Sequence, residues 1–402
     1  MTAIPATGRQ RLIFFSPGYN ERGGIARRSR LLASGLANRG WEVRVVSRTR
    51  HLRRFRFTRS PNLVVVEAPG FGTGRLSTIL FLAAALPLGV LWGRRATAFL
   101  SIKLFSTSTA AAVCSLLVGR PFLALSTESG ATSEIAELLA EKQVWPATRR
   151  RRWAFRAGMR FRRSFLRRAA FIVGQTADAA DDLRRLVSPE QVAVIPTPVE
   201  RVDPPPLTGH PAVAFTGRLS KAKDLVRLLD AWRAVLIRCP EATLCLVGDG
   251  GDHEPVEAEL REIVADDPLL ERTVSFTGWV ADVVPFLRTS DVFVLPSVVE
   301  GMSNSLVEAC AWGRVVVATD LAANRAVLGD DYPLLFPPGD TESLATKLIC
   351  ALEDDTARAH ARNHVLKRAD LFSLDSVLLQ LEQAVASAAN AQRSRRTRLA
   401  ER

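Results

Sequence analysis

Short, uninterrupted apolar runs alternate with stretches of helical length, and the alternation runs twice through this chain. In the first half the runs are Leu12–Phe15, Val43–Val46, Leu63–Val66, Ala98–Ile102, Phe122–Leu125, Phe171–Val173 and Val192–Ile195. Helical patterns such as Ile25–Asn38 and Ser106–Val118 separate most of them. A strand apolar along its whole length has both faces covered, which requires a parallel sheet between two helical layers. Six prolines then fall between Pro196 and Pro211, as in a stiff linker. The rhythm restarts at Val213–Thr216 and continues through Thr243–Val247, Val274–Phe276, Val292–Leu295, Val315–Ala318 and Leu334–Phe336. The expected fold is α/β: two Rossmann-like, doubly wound domains facing across a cleft, where ligands of such sheets bind. The expected divisions are 1–200, 201–372, and 373–402 as a final helix with a basic, frayed tail.

A length of 402 residues suits two cores better than one. The five cysteines are scattered without a C-x-x-C pair, so neither a disulfide framework nor a zinc site is expected. Arg9 and Arg11 lead straight into the first apolar run, which is unlike a signal peptide, and the expected location is cytoplasmic. A net charge of +13 calls for an anionic partner: nucleic acid, a membrane surface or phosphorylated small molecules. The uncharged segment Leu76–Gly93 has three readings: a bilayer span, an in-plane membrane contact, or a sheet-crossover helix. The last is favoured, because a crossover is due there and Pro87 and Gly89 weaken a regular span.

The sharpest local signal is Glu300-Gly-Met-Ser-Asn-Ser-Leu-Val-Glu308. A strand ends at Pro296-Ser297 and a helix begins near Ser303 or Asn304, so unpaired N–H groups and the positive end of the helix dipole form an anion site. Gly301 permits close backbone approach, Glu308 can accept from ribose hydroxyls, and Glu300 can reach a sugar above the amides. Taken alone, two glutamates eight apart are equally two solvated surface acids. The second element, Thr216-Gly-Arg-Leu-Ser-Lys-Ala-Lys-Asp224, follows the first strand of the same half. Arg218 and Lys223 offer a bidentate guanidinium and a point ammonium, which suit a diphosphate whose charge develops as it leaves. Without the Glu300 loop, solvated cations at a helix start would be the better reading.

Read in order, G-R-L-x-x-x-K, Leu246-Val-Gly-Asp-Gly250, Phe276-Thr-Gly-Trp279, Ser290-Asp-Val-Phe-Val-Leu-Pro-Ser297 and E-G-M-S-N-S-L-V-E-A resemble the family 4 glycosyltransferases of GT-B fold. The resemblance spans roughly residues 211–350. It implies that Arg218 and Lys223 hold a donor diphosphate, that Glu300 contacts the donor sugar and that Glu308 holds the ribose. It implies further that Gly301, Met302, Ser303 and Asn304 form the loop meeting phosphate and sugar, with the base near Trp279 and Val280. Gly23 and Gly24 match a glycine loop that closes over the donor, and the final helix from Ser373 matches one crossing back to the first domain.

The sequence departs from the pattern at four places. Asp224 stands in place of a glycine, Thr197-Pro198 in place of Asn-Gly, and Ala322-Ala323 in place of Gly-Gly. Glu128 occupies a place where many relatives carry a histidine; it is either a polar group facing the reacting centre or a loop carboxylate without a chemical part. No D-x-D element occurs and none of the five histidines sits in a motif, so a metal-independent transfer with no cofactor beyond the nucleotide sugar is expected. The resemblance implies retention of configuration. The rival readings are a nucleotide-sugar 2-epimerase and a degenerate sugar-nucleotide-binding protein.

Residues 149–168 contain ten arginines. Arg149, Arg152, Arg156, Arg160, Arg163 and Arg167 share one helical face beside Trp153, Ala157, Phe161 and Phe165. An anionic membrane surface is the favoured partner over a merely solvated helix. Nucleic acid is not expected, since no recognition module accompanies the charge. With Leu76–Gly93 in the same half, a glycan or lipid-linked acceptor follows.

Overall fold

The computed structural model describes residues 10–49, 57–70, 75–104, 106–127, 160–161, 163–200, 202–250 and 256–400. The chain forms two compact units, Met1–Pro198 with Leu374–Arg402, and Val199–Ser373.

The first unit is built on strands β1 (Arg11–Ser16), β2 (Glu42–Thr49), β3 (Phe57–Ser60), β4 (Leu63–Pro69), β5 (Ala98–Ile102), β6 (Phe122–Leu125), β7 (Phe171–Gly174) and β8 (Val192–Val194). They pair in the order β3-β4-β2-β1-β5-β6-β7-β8. Every pairing is parallel except β3 on β4. Helices α1 (Gly24–Asn38), α2 (Arg75–Gly93), α3 (Ser106–Val118) and α4 (Ala177–Arg184) connect them. The alternation of β1 shows why the strands are apolar throughout. Leu12 and Phe14 enter a core with Leu32 and Leu36 of α1 and Val377 and Leu381 of the C-terminal helix. Ile13 and Phe15 enter a second core with Phe81 and Ala85 of α2 and Cys114 of α3. The C-terminal helix spans Leu374–Ala400, so the basic residues from Arg393 onward continue it instead of fraying at Ala389. It lies so close to α1 that a Cβ on Gly35 would stand 2.6 Å from Leu378 Cδ1. Trp41 Nε1 donates to Glu382 Oε1 (2.8 Å) on the same seam.

Helix α2 is the crossover between β4 and β5. Phe81, Ala85, Gly89 and Gly93 form its buried inner stripe, and a Cβ on Gly89 would meet Cys114 Sγ at 2.5 Å. One face of this helix therefore belongs to the sheet's core, which overturns the reading of it as a bilayer span. Its length and composition would suit a span, and with 28% of Leu76–Gly93 buried most of the helix lies outside that core.

The second unit contains β9 (Ala212–Thr216), β10 (Thr243–Val247), β11 (Val274–Gly278), β12 (Val292–Leu295), β13 (Val315–Thr319) and β14 (Leu335–Phe336). Their order is β11-β10-β9-β12-β13-β14, all parallel. The helices are α5 (Leu225–Arg238), α6 (Val256–Ala265), α7 (Pro268–Thr273), α8 (Val284–Thr289), α9 (Asn304–Ala311), α10 (Ala322–Leu328), α11 (Thr341–Glu353) and α12 (Asp355–Ala369). The boundary between the units falls inside the proline run, at Pro198, and the later part of the run is fastened to this unit. Pro205 O accepts from Arg314 Nη2 (2.9 Å) and Arg362 Nη2 (2.6 Å), and the Asp291 carboxylate takes the N–H groups of Thr208 and Gly209. Burial holds the Arg314 guanidinium down to about 10.

Candidate functional site

Counted within the second unit, the strand order is 3-2-1-4-5-6, and the winding reverses between β9 and β12. In sheets of this kind, ligands bind outside the carboxyl ends of the strands at that switch point. The β9 loop carries Arg218 and Lys223, and the β12 loop carries Glu300. The structure brings Lys223 and Glu300 together: Lys223 Nζ donates to Glu300 Oε1, which also accepts from Ser297 Oγ (2.7 Å). Arg218 stands exposed on the same loop. Main-chain bonds join this edge: Val298 N to Ala222 O (2.9 Å), Gly217 N to Val247 O (2.9 Å) and Leu219 N to Asp249 O (2.8 Å). The β10 loop is held in turn by Glu257, whose Oε2 accepts from Gly250 N (3.0 Å), an interaction that pulls its carboxyl below the ordinary range.

This joining demands glycine at two positions. Gly217 adopts φ 152 and Gly248 φ 137, and a Cβ on Gly248 would lie 1.9 Å from Gly217 O. Asp224, which replaces a glycine of the family pattern, keeps glycine-like geometry at φ 50, ψ 43. Arg227 Nε reaches its Oδ2 at 2.7 Å. A left-handed non-glycine residue costs about 1–2 kcal/mol, whereas a partly exposed ion pair is worth at most about 1 kcal/mol. Asp224→Gly should therefore raise the melting midpoint and Asp224→Ala lower it; equal losses in both variants would show that the ion pair governs this turn.

Helix α9 begins at Asn304. Ser303 is its N-cap, and its Oγ accepts from Leu306 N (3.4 Å). The first intrahelical bond, Val307 N to Ser303 O (3.1 Å), lies downstream of the amides of Asn304 and Ser305, which are left for another acceptor. Gly301 and Asn304 are half-buried, while Met302, Ser303 and Glu308 are buried. Trp279 is exposed and Val280 half-buried after β11. Two positions that motif reading missed stand at the carboxyl edge of the sheet: Thr216 Oγ1 and Asn324 Oδ1 are buried without a hydrogen-bond partner. Their signal was only position: Thr216 ends β9, and Asn324 lies in α10 just after β13. Among the described residues, no group of three or more His, Cys, Asp or Glu is placed to hold a metal ion.

In the first unit, Gly23 is the N-cap of α1 at φ 101 and Gly24 is its first residue. No heavy atom lies within 4 Å of where a Gly23 Cβ would be, so the backbone conformation and not crowding selects glycine there. Further along α1, Arg28 is fully buried and was not distinguished in the sequence from its arginine neighbours. Its Nη1 donates to Ser126 O (3.0 Å) and Nη2 to Ile195 O (3.4 Å), tying the exits of β6 and β8. Burial lowers its guanidinium to about 10. With its amide oriented to satisfy both ends, Gln175 offers Oε1 to Arg28 Nη1 (3.2 Å) and donates to Thr127 O (3.0 Å). Glu128 lies outside the described residues, as do Arg149 to Met159 and Arg162 of the basic stretch. Of its aromatic stripe, Phe165 packs on the second core and contacts Phe161 edge-on (4.5 Å).

A parallel sheet with a cationic loop, a carboxylate and an open helix N-terminus at its switch point is the arrangement a doubly wound α/β fold offers to an anionic ligand. Known proteins agree. Residues 23–198 match the model described as "Glycosyl transferase 4-like domain", and residues 210–354 match "Glycosyl transferases group 1". The chain belongs to the family 4 type of GT-B glycosyltransferases.

It is 38% identical over 166 residues to the phosphatidyl-myo-inositol mannosyltransferase of Mycolicibacterium smegmatis, covering 39% of this chain and 41% of that one. It is 31% identical over 215 residues to the 2-deoxystreptamine glucosyltransferase of Streptomyces kanamyceticus, covering 50% and 54%. The chain thus spans about half the length of the curated relatives it matches. Among solved structures, the sucrose-phosphate synthase of Thermosynechococcus elongatus superposes with a TM-score of 0.77 at 20% identity, over 95% of this chain and 100% of that one. The Anabaena protein HepE in complex with UDP and glucose gives 0.70 at 18%, over 94% and 100%.

Proposed function

We propose that this protein is a retaining glycosyltransferase that moves a sugar from a nucleotide diphosphate to a glycan or lipid-linked acceptor at the cytoplasmic face of a membrane. The observation that carries the reading is the Lys223–Glu300 pair, held by main-chain bonds beside the open amides of α9. A diphosphate seated there meets Lys223, Arg218 and the Asn304 and Ser305 N–H groups, which take up the charge that grows on it as the glycosidic bond breaks. Glu300 then faces the sugar and Glu308, on the same helix, the ribose. Charge neutralisation falls to these side chains, so the transfer needs no metal. The acceptor hydroxyl attacks the face from which the diphosphate departs, which retains configuration. Support for the donor class comes from HepE, whose solved complexes hold UDP and UDP-glucose; support for a lipid acceptor comes from the mannosyltransferase relatives and the basic segment 149–168.

Thermal shift with UDP-, GDP- and ADP-sugars tests this. One donor should raise the midpoint of the wild type and leave Glu308→Ala unmoved, since a ligand that binds only the native state stabilises it. Purified protein indifferent to every sugar nucleotide would overturn the reading. Binding without sugar release would favour the degenerate rival instead.

A further inference from the structure

Among the described residues, the outer stripe of α2 is left exposed. Leu76 is 68% exposed, Ile79 61% and Leu91 64%, and Ala83 and Pro87 lie between them on the same face. The adjoining end of α3, which packs against α2, adds Leu117 at 68%. A surface helix of a soluble domain carries polar residues on its outward face, whereas this one carries none between Leu76 and Leu91. A contiguous apolar patch of this kind marks an interaction surface.

Charge identifies the occupant. From Ala68 to Thr127 the chain contains no Asp or Glu, yet it contains Arg75, Arg94, Arg95, Lys103 and Arg120. Arg94 and Arg95 are exposed directly after α2. We infer that the α2–α3 face seats in the plane of an anionic lipid bilayer, with its leucines at the acyl boundary and Arg94 and Arg95 among the headgroups. A second copy of the chain is a poorer match, because a twofold contact would bring the segment 68–127, which has cations and no carboxylate, against its own image. A span is excluded by the inner stripe, which is core. The residues of this face lie outside the segment 149–168 in sequence, and the inference stands independently of the donor chemistry: a protein that binds lipid and ignores sugar nucleotides keeps this inference and loses the previous one.

Flotation of the full chain with phosphatidylcholine vesicles, with and without phosphatidylglycerol, is the test. Wild type should float with the anionic vesicles and release as salt rises. The double variant Ile79→Glu, Leu91→Glu should lose roughly tenfold or more of that partition, since each change removes an apolar anchor and adds a repelled charge. Arg94→Gln with Arg95→Gln should weaken binding to anionic vesicles and flatten its salt dependence. Leu117→Glu, on α3, repeats the test should the double variant melt early. Wild-type partition retained in these leucine variants would overturn the inference, as would a wild type that stays with the buffer. So would a dimer that the leucine variants convert to monomer, which would assign the face to a second copy.

Discussion

Gly248→Ala is expected to abolish sugar-nucleotide binding and to destabilise the second unit by about 3 kcal/mol or more. The new methyl would sit 1.9 Å from Gly217 O at a residue whose φ is 137, so it is opposed both sterically and conformationally. Relief requires the β10 loop to move away from the β9 loop. That breaks Gly217 N to Val247 O and Leu219 N to Asp249 O, and with them the placement of Arg218 and Lys223. In calorimetry the transition of this unit should fall by roughly 6–12 °C. Gly339→Ala supplies the comparison. Its φ is 78, but nothing lies within 4 Å of the added carbon, so only about 1 kcal/mol of strain is expected there. Similar losses at both positions would mean that backbone conformation, and not the contact between the two loops, decides the outcome.

Lys223 and Glu300 should respond in opposite directions. Lys223→Met removes the cation and keeps the Glu300 carboxylate, whose side chain is only 9% exposed, beside an anion site. Nucleoside diphosphate affinity should fall about 100-fold, and turnover further. Glu300→Gln removes the competing anion and releases the Lys223 ammonium toward the phosphates, so diphosphate binding should hold or tighten while sugar transfer is lost. Titration calorimetry with the free nucleoside diphosphate reads both. Equal weakening in the two variants would mean that the pair is a structural tie and not a ligand clamp.

Much of this was legible because the governing signals are local. The runs Ala98–Ile102, Phe122–Leu125, Thr243–Val247 and Val292–Leu295 are strands with those same limits, since an apolar run buried on both faces has no other stable place. Glu300 and Lys223 could be read as neighbours because both follow strands flanking a switch point. What escaped reading depends on contacts distant in the chain. Phe57–Ser60 pairs antiparallel at the sheet edge, where no alternation of apolar residues is required, and its phenylalanine stands among arginines. Arg28 is one of three arginines within four residues, and only the folded chain shows it beneath Ser126 and Ile195 while Arg27 and Arg30 lie nearer the surface. The proline run reads as a stiff linker, and nothing in its composition announces that Arg314 and Arg362 fasten Pro205. The C-terminal helix outlasts its apolar pattern because arginine is a good helix former, so a basic composition does not end a helix.

The bonds that unite the β9, β10 and β12 loops run between peptide groups, so no exchange of side chains can delete them; only proline, by lacking the proton, or an intruding methyl can. This scaffold is accordingly insulated from most substitution, and divergence in which base is accepted is channelled to the few groups that project above it, such as Trp279 and Val280. A mutational library aimed at new donors would do best to vary those two and leave Arg218 and the peptide scaffold untouched.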